Sequence, residues 1–468
     1  MTAWATPVTR LRGLATFSSL AIRNYRLFMI GQCFSMVGTA MQAVAQAWLI
    51  LKLTGSGTAL GFTVGLQYLP VLFFAGPAGV LLDRVDRRRL LFLIQVLGGA
   101  QAVALGVMTI TGTIRLLTVY VFAASLGFIN CVDQPLRQLF IFDVVDGENV
   151  SNAIALSMAL TNISKFVGPA VAGVTISALG IGPCFLLNAL SFVGMMLAVV
   201  WIRAAEMRTP APQPRRRGQF REGLRYVRHS PALLGPLVVL AMLFGISWQY
   251  EVLLPLFAKY SFHAGAGMYG TMAAMVAVGC LIGGLVMAGR PGVTDRMIMW
   301  SLIAVAACQF SLAAVQWLPL ALLVLTCSGV AGITAAGACN SLLQLRSTPA
   351  MRGRVMGLYA IAIIGTRPIG GPVVGFIAQH AGPRWCLVFC GAVALGVTLP
   401  AWAALNRTAV RHEAHSRHEA HSRHVRAAEE IGHDDRRPAH LGPDPADAGA
   451  GLADTELRAR AHSGPRSA

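Results

Sequence analysis

Two carboxylates stand inside stretches otherwise suited to hydrocarbon, Asp133 and Glu251. A charged carboxylate is costly at that depth, so each is a candidate for taking up and releasing a proton. Asp133 lies four residues before Arg137, on the same helical face. That spacing fits either a structural ion pair or a proton site. Glu251 lies on a face with Phe244, Trp248 and Pro255, at i, i+4, i+7 and i+11. Aromatic rings beside a carboxylate fit a cavity wall better than a lipid-facing surface. Two cations, Lys165 and Arg367, also fall in mid-run. They suit attraction of an anionic cargo, or pairing with the two acids. Gln32, Ser35, Thr39, Gln42 and Gln46 follow one another in steps of three and four, a single polar stripe on an apolar helix. In lipid such a stripe faces another helix or a water-filled cavity.

The elements that must position these residues are membrane helices. The chain has 468 residues, 55% hydrophobic and only 12% charged, and its mean hydropathy is +0.61. A soluble domain carries about 25% charged residues. Its apolar runs are too long for barrel strands, which leaves an all-α integral membrane protein. Twelve spans are predicted, at 27–51, 58–82, 90–111, 116–141, 151–177, 183–203, 232–257, 267–289, 297–315, 319–341, 354–378 and 384–405. Of the 38 Lys and Arg, only Lys52, Arg115, Lys259 and Arg384 fall in loops on one side. Lys165 and Arg367 lie within spans, and the rest mark the cytoplasmic side, with both termini inside. Residues 1–26 are polar and basic without a signal-peptide pattern. The nine Cys sit in or beside apolar runs without Cys-x-x-Cys spacing and read as packing residues. The net charge of +18 comes from loop arginines, so it reports topology and anionic lipid, not nucleic acid.

The longest internal loop, 204–231, carries Pro210, Pro212, Pro214 and Arg215-Arg216-Arg217, then an amphipathic helix with Phe220, Leu224 and Val227 on one face, expected at the inner membrane surface. It separates two pseudo-symmetric six-helix bundles, 27–203 and 232–406. A shift of 202 residues places Ser164 on Thr366, Lys165 on Arg367, Gly168 on Gly370 and Gly173 on Gly375. The fifth span therefore repeats the eleventh. Residues 407–468 hold eight of the eleven His and equal numbers of basic and acidic side chains. They read as a disordered cytoplasmic tail, with metal binding as the alternative.

The segment Gly79-Val-Leu-Leu-Asp83-Arg84-Val-Asp86-Arg87-Arg88 resembles the loop signature of the major facilitator superfamily, between its second and third helices. Asp86 stands where that superfamily usually has Gly. Further runs resemble its enterobactin and multidrug exporter branch: Asp133-Gln-Pro-Leu-Arg137-Gln, Asn162-Ile-Ser-Lys165-Phe-Val-Gly-Pro, Phe185-Leu-Leu-Asn188, Glu222-Gly-Leu-Arg-Tyr-Val-Arg-His, Glu251-Val-Leu-Leu-Pro255 and Arg352-Gly-Arg-Val. The resemblance covers about residues 17–405. It implies the major facilitator fold and proton-driven export of small organic molecules, siderophore-like or drug-like, by alternating access. It also implies that the first and seventh helices line the central cavity, so the polar stripe, Trp248, Lys165 and Arg367 become candidate cargo contacts. Asp83, Arg84, Arg87, Arg88 and Arg137 become a cytoplasmic gate, with Asp83 expected to pair with Arg137. Two departures matter: Lys165 replaces the branch's usual Arg, and the superfamily's mid-span Arg of the fourth helix is missing. The chain contains no nucleotide loop, no His-Glu-x-x-His and no Gly-x-Ser-x-Gly, so no enzyme, cofactor or metal is expected. The expected partners are a small-molecule substrate, protons and membrane lipid, for a monomer in the cytoplasmic membrane of a bacterium. A ligand-binding membrane receptor without net transport is the alternative.

Overall fold

Without water in the hydrocarbon, a backbone must satisfy its own hydrogen bonds, and a helix does so within one segment. The long apolar runs accordingly fold as helices. The structure, a computed structural model, describes residues 15–82, 85–145, 147–207, 219–290 and 292–398. The first half contains α1 (Arg23–Thr54), α2 (Gly57–Leu82), α3 (Arg87–Ile110), α4 (Leu116–Val144), α5 (Val150–Leu179) and α6 (Ile181–Trp201). The second contains α7 (Pro231–Ser261), α8 (Ala266–Ala288), α9 (Asp295–Ala314), α10 (Leu318–Arg346) and α11, whose apolar stretch runs over Met351–His380. A shorter apolar helix, α12 (Pro383–Thr398), follows. Among the described residues, eleven helices are long and apolar enough to span a bilayer, and α12 completes the twelve-helix arrangement.

The turns follow from local chemistry. Gly55 closes α1 in the left-handed conformation, at φ 62°, and Gly180 separates α5 from α6 at φ 92°. Asp86 caps α3: its carboxylate accepts from the backbone N–H groups of Arg88 and Arg89, at 2.9 and 3.3 Å. The acid that departs from the superfamily loop pattern thus has a structural use.

At the basic-loop end, an ion pair joins the third helix of each half to the fourth. Arg87 at the start of α3 meets Asp143 near the end of α4, at 2.6 Å. Asp295 at the start of α9 meets Arg346 at the end of α10, at 2.7 Å. The charges are reversed between the halves, yet the tie is the same.

The halves meet through glycine. On α2, Gly57, Gly61 and Gly65 recur every fourth residue and face Gly371, Gly375 and Pro368 of α11. A Cβ at Gly61 would strike the Gly371 carbonyl, and one at Gly375 would strike that of Gly57. On α5, Gly173 meets Gly267 and Gly270 of α8; a Cβ at Gly270 would come within 2.6 Å of the Pro169 carbonyl oxygen. Small residues at this spacing permit close helix approach in lipid. Hydrogen bonds reinforce the seam. The Gly57 N–H donates to Gln379 (2.6 Å), Tyr260 donates to the Gly55 carbonyl (2.6 Å), and Lys259 donates to that of Leu51 (3.2 Å). Among the described residues, the hydrogen bonds joining the halves all lie between mid-depth and the end opposite the basic loops.

Three expectations change. The seventh span is interrupted, with a π turn over Leu243–Ser247 and non-helical Trp248 and Gln249. The eleventh carries a π turn over Ile361–Gly365. The linker helix, Gln219–Arg228, does not present Leu224 and Val227 together. Val227 is buried against the second half while Leu224 is exposed. Glu222 pairs with Arg354 at 2.6 Å, and the Thr348 N–H donates to the Tyr226 hydroxyl at 3.4 Å, so this helix docks on the start of α11.

Gly61→Val is expected to part α2 from α11 at the end opposite the basic loops. Labelling of Ser56→Cys by a membrane-impermeant maleimide, corrected for the native thiols, should become several-fold faster in the Gly61→Val background. Equal rates would contradict the glycine seam.

Candidate functional site

The two helix interruptions lie side by side. Gly245 in the π turn of α7 touches Gly370 of α11, where a Cβ would overlap the Gly245 carbonyl. Breaking a helix in lipid frees backbone carbonyls that need new donors. The Gln249 amide donates to the carbonyls of Phe244 (2.8 Å) and Gly245 (2.9 Å). Gln309 of α9 donates to the Ser247 carbonyl at 2.5 Å, and the Ser247 hydroxyl donates to the Cys390 carbonyl at 3.0 Å. The interruption is therefore a built feature, held by α9 and α12. Such irregular backbone marks functional positions in transporters.

Glu251 follows the break in α7, and Arg367 follows the π turn in α11. Arg367 Nη1 is 2.7 Å from Glu251 Oε1 and donates to the Tyr68 hydroxyl at 2.8 Å. The Tyr68 hydroxyl donates to Glu251 Oε1 and Oε2, at 3.1 and 3.3 Å. The guanidinium also lies over the Tyr68 ring, 4.8 Å from its centroid. Tyr68 comes from α2, so this triangle joins the two halves near mid-depth. The Glu251 side chain is 46% exposed and that of Arg367 19%. The carboxylate is therefore open to solvent while its cation is held behind it. Arg367 Nε is buried without a hydrogen-bond partner. Lys165 of α5 is exposed at the same depth and lies within electrostatic reach of Arg367, Glu251 and Cys280.

Asp133 sits in a different environment. It pairs with Arg137 at 2.7 Å and accepts from Gln95 at 2.9 Å; Arg137 donates to Ser35 (2.9 Å) and Gln95 (3.3 Å). The Asp133 and Arg137 side chains are 11% and 5% exposed, inside the first half. The geometry is that of a packed ion pair away from the Glu251 triangle.

The polar stripe of α1 also turns inward. Gln32, Ser35, Gln42 and Gln46 are buried. Gln32 donates to Ser157 of α5, Ser35 to Gln95 of α3, and Gln42 to Gln101 of α3 while accepting from Asn188 of α6. Thr39 donates to the Ser35 carbonyl. In this structure Gln32, Ser35 and Gln42 pack α1 against α3, α5 and α6, which supply matching polar groups, while both polar atoms of buried Gln46 lack a hydrogen-bond partner among the described residues. Trp248 packs against Gly332 of α10, where a Cβ would overlap its ring, and stacks on Phe244 at 5.3 Å between centroids. It lies half-buried within the second half.

The basic loop's arginines hold helix ends. Arg87 pairs with Asp143, and Arg88 donates to the carbonyls of Val199 (3.1 Å) and Val200 (2.9 Å) at the end of α6. Asp83 and Arg84 lie outside the described residues, as do 1–14, 208–218 and the tail. Tyr68 was missed by sequence reading. Its signal was available: Gln67-Tyr68 is a polar pair in the middle of an apolar span.

The chain matches the family described as transmembrane secretion effectors over residues 14–435. It is 22% identical to macrolide efflux protein A of Streptococcus pyogenes over 380 residues, covering 79% of this chain and 93% of that one. It is 23% identical to the enterobactin exporter EntS of Citrobacter koseri, covering 77% and 86%. Among solved structures it resembles the nucleoside transporter NupG (TM-score 0.66, 13% identity, 82% of this chain and 99% of that one). It also resembles a bacterial homolog of the human lysosomal transporter Spinster in an inward-facing, unoccupied conformation (TM-score 0.67, 13% identity, 82% and 96%). These likenesses show the major facilitator fold.

Removing one partner of a buried ion pair costs about 3–5 kcal/mol. Asp133→Asn is therefore expected to lower the unfolding midpoint of the purified protein in detergent clearly. An unchanged midpoint would contradict the packed pairing of Asp133 with Arg137.

Proposed function

From the premise that this chain belongs to the transmembrane secretion effector family of major facilitator transporters, we propose that it exports small organic molecules by alternating access, in exchange for protons. The membrane is the cytoplasmic membrane of a bacterium, the acting unit is a monomer, and the basic loops face the cytoplasm. The observation that carries the reading is the Tyr68–Glu251–Arg367 triangle. It puts one solvent-open carboxylate near mid-depth, bonded to the opposite half of the protein.

The cycle follows from what a proton does there. With Glu251 ionised, its carboxylate holds Arg367 and the Tyr68 hydroxyl, and the halves stay joined toward the end opposite the basic loops. Cargo enters from the cytoplasmic side in this state. The loaded protein repacks to the opposite access and releases its cargo there. A proton from outside then neutralises Glu251 and weakens its bonds to Arg367 and Tyr68, because charge-assisted hydrogen bonds are the stronger kind. On return, Arg367 re-forms the pair and the Glu251 proton leaves to cytoplasmic water. Asp133 is buried inside the first half, whereas Glu251 is half-exposed and bonded across the halves, which favours Glu251 as the carrier. The expected gate at Asp83 would act at the opposite end, beside the Arg87–Asp143 tie.

Names among the relatives put macrolides and siderophores on the cargo panel. Efflux is measured with purified protein in vesicles, with and without a pH gradient. Glu251→Gln is expected to abolish gradient-driven efflux while keeping cargo binding and gradient-independent exchange. Pumping against a gradient with unchanged pH dependence in that variant would contradict the assignment.

A further inference from the structure

Lys165 is a cation without a counter-ion of its own. It lies in the middle of α5, is exposed, and makes no hydrogen bond or ion pair among the described residues. Its counterpart in the repeat, Arg367, has a carboxylate from α7 and a phenol from α2. The equivalent elements for Lys165 would be α1 and α8. Neither Arg23–Thr54 nor Ala266–Ala288 contains a single Asp or Glu. Among the described residues, the one acid within electrostatic reach is Glu251, which already serves Arg367. Two cations thus share one carboxylate near mid-depth, and the cluster carries a surplus positive charge when Glu251 is ionised. An ammonium at this depth is costly unless water or an anion attends it. The half of the site built from the first six helices lacks the anion that the second half supplies to itself.

We infer that Lys165 is the cargo-recognition residue of this site and that the cargo carries a carboxylate or comparable oxyanion, which takes the place beside Lys165 that Glu251 takes beside Arg367. This deepens the export reading and rests on it. Export of an anion against import of a proton moves positive charge inward on both counts, so efflux would be driven by an inside-negative potential as well as by the pH gradient.

The test uses two matched probes, 2,3-dihydroxybenzoate and its neutral amide 2,3-dihydroxybenzamide, titrated into the purified full-length protein in detergent by calorimetry. The carboxylate is expected to bind the parent and Lys165→Arg at least about tenfold more tightly than the amide, a difference worth about 1.4 kcal/mol. Lys165→Met should erase that preference. A second readout avoids dependence on the folding of one variant. Lys165 is one of only three lysines, with Lys52 and Lys259 at the far end. Pyridoxal phosphate added from the basic-loop side, then reduced with borohydride and mapped by mass spectrometry, should modify Lys165, and the carboxylate probe should slow this where the amide does not. Equal binding of the two probes to the parent, undiminished preference in Lys165→Met, or no protection of Lys165 would each overturn the anion site. Glu251-dependent efflux that persists beside such a result leaves the export reading standing. Its loss would strike that reading separately.

Discussion

One three-way contact governs the rest of the structure: Arg367 held between Glu251 and Tyr68. A guanidinium buried near mid-depth is tolerable only with a counter-charge and hydrogen bonds. Glu251 supplies the first and Tyr68 adds an acceptor and a ring face. Because Tyr68 belongs to the first half and the other two to the second, meeting this local electrostatic need also ties the halves. Whatever changes the charge of Glu251 changes how strongly they hold. The neighbouring interruptions of α7 and α11 serve the same contact, since they bring Gly245 and Gly370 into touch just before the two charged residues.

Two kinds of contact then divide the molecule along its depth. At the end opposite the basic loops, backbone meets backbone through Gly57, Gly61, Gly371 and Gly375, and through Gly173 and Gly270. Such seams depend on shape and carry no charge, so they can part and re-form without stranding an ion in lipid. At the basic-loop end, the ion pairs Arg87–Asp143 and Asp295–Arg346 act within each half. They stiffen each bundle as a unit. Rigid bundles and a glycine seam on one side are the parts that rocking of one repeat against the other requires.

Much of this was legible in the sequence, and the failures have physical reasons. Span number followed from hydrocarbon length, and the repeat from Lys165 and Arg367. Glu251 stood out because a carboxylate in an apolar run needs a reason. Sequence left open whether the stripe on α1 meets a helix or a cavity, because periodicity shows that a face is polar, not what meets it; Gln95, Gln101 and Asn188 lie on other helices. The break at Trp248 and Gln249 escaped because no proline marks it, and its stabilising donors, Gln249 and Gln309, act through backbone carbonyls that a sequence does not display. The docking of the linker helix on α11 was not legible either, because it depends on the close approach of Gly223 to Arg354, a contact distant in sequence.

The central claim is that the charge on Glu251 sets which end of the protein is closed. The most direct measurement is the distance across the basic-loop end, by double electron–electron resonance between spin labels at Arg89 and Arg290 in lipid nanodiscs, as a function of pH. The long distance is expected to dominate at high pH and to give way to a shorter one as Glu251 protonates on acidification. In Glu251→Gln the short distance should prevail at every pH. A pH-driven shift that survives unchanged in Glu251→Gln would contradict the claim.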